Sequence, residues 1–317
     1  MQTLSLMEGM EMDQQAVNKE PVITAGLEMD AVSLRVADLE LMSDYYEKSL
    51  ALTPIEERAR GTETVRILGR GKTPFVRLVH TPDLPAGSPR DAGLFHTAFL
   101  FEDKASLSAT VLRSAQDPRA KFVGSSDHLV SEAFYFTDPE GNGIELYVDR
   151  PREEWLYADG DLRMDTIYLD PNAYLQQHLD EEIFANVEKQ SGKVGHVHLQ
   201  VGDLRVARDF YVNSLGLDPT VENYPGALFA SAGGYHHHVA MNTWNSSGAG
   251  PRGSQLGLGD LSITLPTRND LDELVARYRE QKIEFLDTGN TVITQDPWGT
   301  QVTVALPGRD ADELLAS

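Results

Sequence analysis

His128, Tyr135 and Glu145 fall within one short stretch, HLVSEAFYFTDPEGNGIE, and their types suit chemistry at a charged centre. The Tyr lies seven residues after the His and the Glu ten after the Tyr, with an Asp-Pro-x-Gly turn at Asp138 between them. Glu145 stands in an apolar strand pattern, GIELYV. A strand that runs into a core has no use for an ionised carboxylate unless something offsets its charge. Where imidazoles are at hand, a metal ion is the simplest compensator. His96, His196, His198 and the run His236-His237-His238 supply imidazoles elsewhere in the chain.

The elements that must position these groups come as a repeat. GHVHLQVGDLRVARDFYVNSLGL, from Gly195, reads as a strand, a turn at Asp203 and a helix carrying Phe210, Tyr211 and Leu215. AVSLRVADLELMSDYYEKSLAL, from Ala31, has the same layout, with Asp38 at the turn and Tyr45, Tyr46 and Leu50 on the helix. Two diverged copies start at Gly93 and Gly257; they lead to helices near Leu107–Ser114 and in DLDELVARYREQ, and end in GIELYV and QVTVAL after the turns DPEG and DPWG. Alternation of His196, His198 and Gln200 with Val197, Leu199 and Val201 has the period of a half-buried strand. The pattern predicts an α+β fold of four βαβββ modules in two domains. Residues 1–28 are expected to form a flexible N-terminal segment and 29–150 the first domain, with modules one and two. Residues 151–193 form a linker, helical in DEEIFANVEKQ. Residues 194–306 form the second domain, with modules three and four, and 307–317 a tail.

Composition narrows the function. The 317 residues carry a net charge of −22, which repels nucleic acid and anionic membranes. There is no Cys, so disulfides, thiolate metal sites and Cys nucleophiles are excluded. The opening residues lack the basic and apolar regions of a secretory signal, and no apolar run is long enough to span a bilayer. The expectation is a cytoplasmic protein without nucleic-acid or membrane partners; whether it forms a homo-oligomer is left open.

The stretch from His128 to Glu145 closely resembles the signature of extradiol dioxygenases, and departs from it only at Ser126, just before the His. From about Met29 to Leu306 the chain resembles the vicinal-oxygen-chelate superfamily, which includes glyoxalases and bleomycin-resistance proteins. It is most similar to two-domain catechol 2,3-dioxygenase-like proteins through GLFHTAF, VSEAFYFTDPEGNGIELYVDRP, GHVHLQVGDL and SAGGYHHHVAMNTW. In that superfamily the metal is held by the first and last strands of two paired modules. The resemblance therefore implies His96 and Glu145 from module two and His196 from module three as metal ligands. Module one offers Ala31 with Leu78, Val79 and a terminal His80, and module four offers Asp260 and Thr303; neither makes a believable set. Modules two and three should then face each other across the boundary between the halves. A lone strand His is commonly a satisfied core residue, but the coincidence of His96 with Glu145 at matching strand ends argues for a ligand.

Two imidazoles and a carboxylate with open positions form the facial triad of non-haem Fe(II) oxygenases. The implied activity is extradiol cleavage of a catechol- or hydroquinone-type aromatic by O2, with Mn(II) as a substitute ion. The resemblance also implies an acid–base His in the triplet, with His237 and His238 as candidates depending on alignment, and His128 and Tyr135 beside the substrate or dioxygen. His198 competes with His196 as ligand. An alternative is a glyoxalase-like lyase or isomerase with a fourth protein ligand and Zn or Ni. A third reading is a metal-free small-molecule binding protein of the resistance type.

Overall fold

The computed structural model describes residues 23–61, 63–158 and 161–308. Each module opens with a strand and turns into its helix at a side-chain cap. Asp38 caps Leu39–Ser49, Asp103 caps Lys104–Gln116, Asp203 caps Leu204–Arg208 and Thr267 caps Arg268–Gln281. These oxygens accept backbone N–H groups that have no partner inside the helix, which is why a short polar residue marks every strand-to-helix turn. The helices then bury the aromatic and aliphatic residues of one face, including Tyr45, Tyr46, Leu107, Tyr211 and Leu274.

The strands form two large sheets, and each draws on both halves of the sequence. Modules four and one share one sheet. Its seam is the antiparallel pair Gly257–Thr264 and Val32–Val36. Modules two and three share the other, joined by the antiparallel pair Gly93–Phe101 and Gly192–Gln200. Within every module the first and last strands are parallel neighbours. Consecutive modules are tied another way. Tyr46 Oη donates to Asp138 at 3.0 Å and Tyr211 Oη donates to Asp296 at 2.9 Å, so the two Asp-Pro-x-Gly turns play the same part.

One apolar cluster runs through both sheets. Phe75 of one sheet stacks on Phe99 of the other with centroids 5.4 Å apart. Phe99 alternates with Ala98, so this core lies behind the face that carries Ala98 and His96. Residues 23–28 pack down as well: Ile23 and Leu27 are buried, and Glu28–Met29 pairs with Gly257–Thr264. Residues 1–22 and 309–317, the rest of the expected N-terminal segment and nearly all of the tail, lie outside the described residues. The linker is folded. It adds Ile167–Tyr168 to the edge of the second sheet and carries the helices Pro171–His178 and Glu181–Ala185. No helix among the described residues is long and apolar enough to cross a membrane.

Candidate active site

The seam between modules two and three builds the site. Ala98 lies opposite His196 on one side and in register with Glu145 on the other. All three side chains share a face, and the small Ala98 leaves room for its neighbours to converge above it. His96, two residues away, points the same way. Glu145 Oε2 is 2.9 Å from His96 Nε2 and 3.2 Å from His196 Nε2. All three residues are buried. His96 Nε2 makes no hydrogen bond despite that closeness, and the buried His196 Nδ1 is also unpartnered. Two buried imidazole nitrogens crowd one carboxylate oxygen, His196 Nε2 hydrogen-bonded to it and His96 Nε2 unspent, an arrangement that suits the ligands of a cation.

Electrostatics point the same way. Burial pushes His196 down to about 4, against the pull of the Glu145 charge. Burial raises the Glu145 carboxyl, but its interactions with His196 and His96 outweigh this and leave it low. At neutral pH the direction that governs is that on His196: a fully buried imidazole is neutral and keeps a lone pair.

The four modules can now be compared by register. Ser33 is in register with Arg77 as Ala98 is with Glu145. Arg77, rather than Leu78 or Val79, therefore stands at the Glu145 position of module one. In module three that position is Ala240, in register with His198, and not His238. In module four Ser262 pairs with Thr303, as the repeat suggests. Arg77 and Asp260 meet across the other seam at 3.3 Å, both buried. A guanidinium thus provides the positive charge there, and that sheet has no comparable group of ligands among the described residues.

A cavity of about 380 Å³ opens over His96 and Glu145. His128, Tyr135, His198 and His237 line it. His128 Nδ1 is 2.7 Å from the Asp165 carbonyl, which can only accept, so Nδ1 carries a proton. In the neutral ring Nε2 then accepts from the Tyr135 hydroxyl at 2.7 Å. Burial, with the Glu145 charge adding to it, holds the Tyr135 hydroxyl well above its usual range. His198 Nε2 accepts from Asn242 Nδ2 at 2.9 Å. That nitrogen is committed, which favours His196 over His198 where the two compete.

The triplet does not alternate as a strand. Gly233 and Gly234 turn with φ of 62° and 66°, and the strand starts only at Val239. His237 reaches the cavity, with its ring 4.1 Å from that of His196. His238 does not reach it. Its Nδ1 accepts from Ala232 N–H at 3.2 Å, and it lines a separate groove with Lys193 and Tyr235. His236 is fully buried, with Nε2 2.8 Å from Asp149 Oδ1 and Nδ1 2.8 Å from His237 Nδ1. If His236 gives its one proton to Asp149, its Nδ1 accepts from His237, and His237 is left with a bare Nε2. Burial lowers His237 far below the usual imidazole range, which keeps it neutral.

Sequence reasoning overlooked Asp149, the partner of His236, and the outer wall of the cavity. Met164, Asp165 and Thr166 come from the linker, and Phe95, Phe229 and Trp244 from the two modules. The aromatic Trp244, closing the string YHHHVAMNTW, was the available signal.

The fold and site define a member of the glyoxalase/bleomycin resistance protein/dioxygenase superfamily: residues 28–146 and 193–312 match its family model, and the chain belongs to it. The described architecture is the vicinal-oxygen-chelate fold. The chain is 34% identical over 269 residues to catechol-2,3-dioxygenase of Bacillus subtilis (strain 168), covering 83% of this chain and 92% of that one. Among solved structures it resembles glyoxalase I from Zea mays, with TM-score 0.54, 17% identity and coverage of 92% and 94%. It also resembles the cppA protein of Streptococcus pneumoniae TIGR4, with TM-score 0.51, 9% identity and coverage of 90% and 98%. At such identities these two support the fold alone.

Proposed function

We propose that the protein is an extradiol dioxygenase that opens a catechol- or hydroquinone-type ring with O2, using Fe(II) held by His96, His196 and Glu145. One observation carries the reading: the Nε2, Nε2 and Oε2 atoms of these residues converge, buried, beside a cavity that His96 and Glu145 line together with further imidazoles. The relative that is a catechol-2,3-dioxygenase supports the same class. The grouped donors of His96, Glu145 and His196, with His96 Nε2 unspent, fit a divalent ion of the two-His, one-carboxylate kind. A bound Fe(II) supplies Lewis acidity toward vicinal hydroxyls and electrons toward dioxygen.

The chain's own residues do the rest. Glu145 offsets the ion's charge and leaves the sheet neutral enough to stay closed around it. His237, neutral through burial, accepts a proton from a substrate hydroxyl at its free nitrogen. Tyr135, its hydroxyl donated to His128, stands where a polar oxygen of substrate or dioxygen would sit beside Glu145. Phe95 and Phe229 exclude water from the ring.

A glyoxalase-like lyase would require a fourth protein ligand. The donors grouped with His196 are those of His236 and His237; their Nδ1 atoms are spent on each other and His236 Nε2 on Asp149, so His237 Nε2 is the nitrogen a lyase would have to recruit. A metal-free binding role would leave the converging ligand atoms without a purpose. Metal analysis of anaerobically purified protein, paired with oxygen uptake on catechol, tests the proposal. Bound iron with uptake supports it. Bound zinc or nickel without uptake favours the lyase, and no metal at all favours the binding protein.

A further inference from the structure

The cavity wall says which catechols it would take. Among the described residues, no Lys or Arg lines it, and its charged side chains are the carboxylates Glu145 and Asp165. Its outer wall is made by Phe95, Met164, Phe229 and Trp244. Phe95 and Trp244 meet edge to face with centroids 5.4 Å apart, so the wall is a packed apolar surface. Arg150 is held elsewhere by Asp127 at 2.6 Å and Glu132 at 3.0 Å. The molecule's net charge of −22 adds a long-range repulsion for anions.

We propose that this site selects catechols bearing an uncharged, apolar substituent and rejects those bearing an acidic side chain. The inference rests on the catechol reading above and adds the substituent class. A carboxylate on the ring would leave water without a cation to receive it and would face Glu145 or Asp165. An alkyl or aryl group would instead bury its surface against Met164, Phe229 and Trp244. Thr166 is the place to reverse this preference. It is exposed, lines the cavity and bonds Tyr224 Oη at 2.8 Å, so a cation placed there would face the substituent.

The test is calorimetric titration of the iron(II)-loaded protein under argon with two pairs of probes. One pair is 4-ethylcatechol and 3,4-dihydroxyphenylacetate; the other is their monohydroxy analogues, 4-ethylphenol and 4-hydroxyphenylacetate. The uncharged member of each pair should bind at least about tenfold more tightly, the least expected for a buried charge without a partner. Thr166→Lys should shrink that gap to within about threefold. Carboxylates binding within about threefold of the uncharged probes in the wild type would overturn the proposal. So would a gap that Thr166→Lys leaves unchanged, since charge would not then be its cause. Selectivity in both pairs, with catechols no tighter than phenols, would uphold the apolar preference and sink the catechol reading instead.

Discussion

Glu145→Gln separates a metal ligand from a structural carboxylate. Glu145 is 3% exposed and its Oε2 sits within 3.2 Å of two imidazole nitrogens. Burial pushes His196 down to about 4, so in the metal-free protein at neutral pH that neighbour is uncharged and offers a hydrogen bond, not a countercharge. The isosteric amide keeps an oxygen that can accept from His196, so the metal-free protein should stay folded. With the ion the two proteins part. At a free metal concentration about 100 times Kd, binding stabilises the wild type by about 2.7 kcal/mol. For a chain of this size that is a rise in Tm of about 4 °C. The amide keeps one weak oxygen donor and no charge, so its metal-induced rise should vanish at the same concentration. The assay is thermal melting with and without added Fe(II) under argon, beside metal content. A variant that keeps both the metal and the rise would make Glu145 a structural residue and refute the reasoning.

The other expectations concern the surrounding imidazoles and tyrosine. His237→Gln should keep the metal and slow turnover by about 10²–10⁴-fold, the worth of a positioned proton carrier; loss of metal would show that His237 is a ligand. Tyr135→Phe removes the 2.7 Å bond to His128 and should cost about 1 kcal/mol of stability while lowering turnover, read by denaturant melting and oxygen uptake; full turnover would confine Tyr135 to packing. His238 gives a pH dependence. Burial lowers it from 6.5 to about 3, so the unfolded chain binds its proton first as pH falls. Its contribution to stability is whole above 6.5 and drains away toward about 3. His238→Gln should therefore flatten the loss of Tm between those limits without touching metal content, and an unchanged slope would count against the burial argument.

Much of this was legible in the sequence because the repeat fixes equivalence. Aligning His96 with His196, and the Asp-Pro-x-Gly turn with its copy, gives the equivalent positions, and the family resemblance, which implies a metal held by the first and last strands of paired modules, then singles out Glu145 and pairs modules two and three. The rest depended on contacts between distant segments. Arg77 reads as an odd cation in an apolar run until Asp260, 183 residues away, is set opposite. The triplet could not be resolved by alternation because Gly233 and Gly234 turn the chain before the strand begins. The linker has no periodicity that marks Met164 to Thr166 as a wall; pairing of Ile167–Tyr168 with Lys121–Asp127 puts them there.

Oxygen stoichiometry bears most directly on the central claim. Iron(II)-loaded protein is given an uncharged catechol and labelled dioxygen, and both oxygen uptake and the mass of the product are measured. The account predicts one dioxygen consumed per ring opened, with both labelled atoms in the product. Full iron occupancy at His96, His196 and Glu145 with no uptake, or a product without the label, would contradict it.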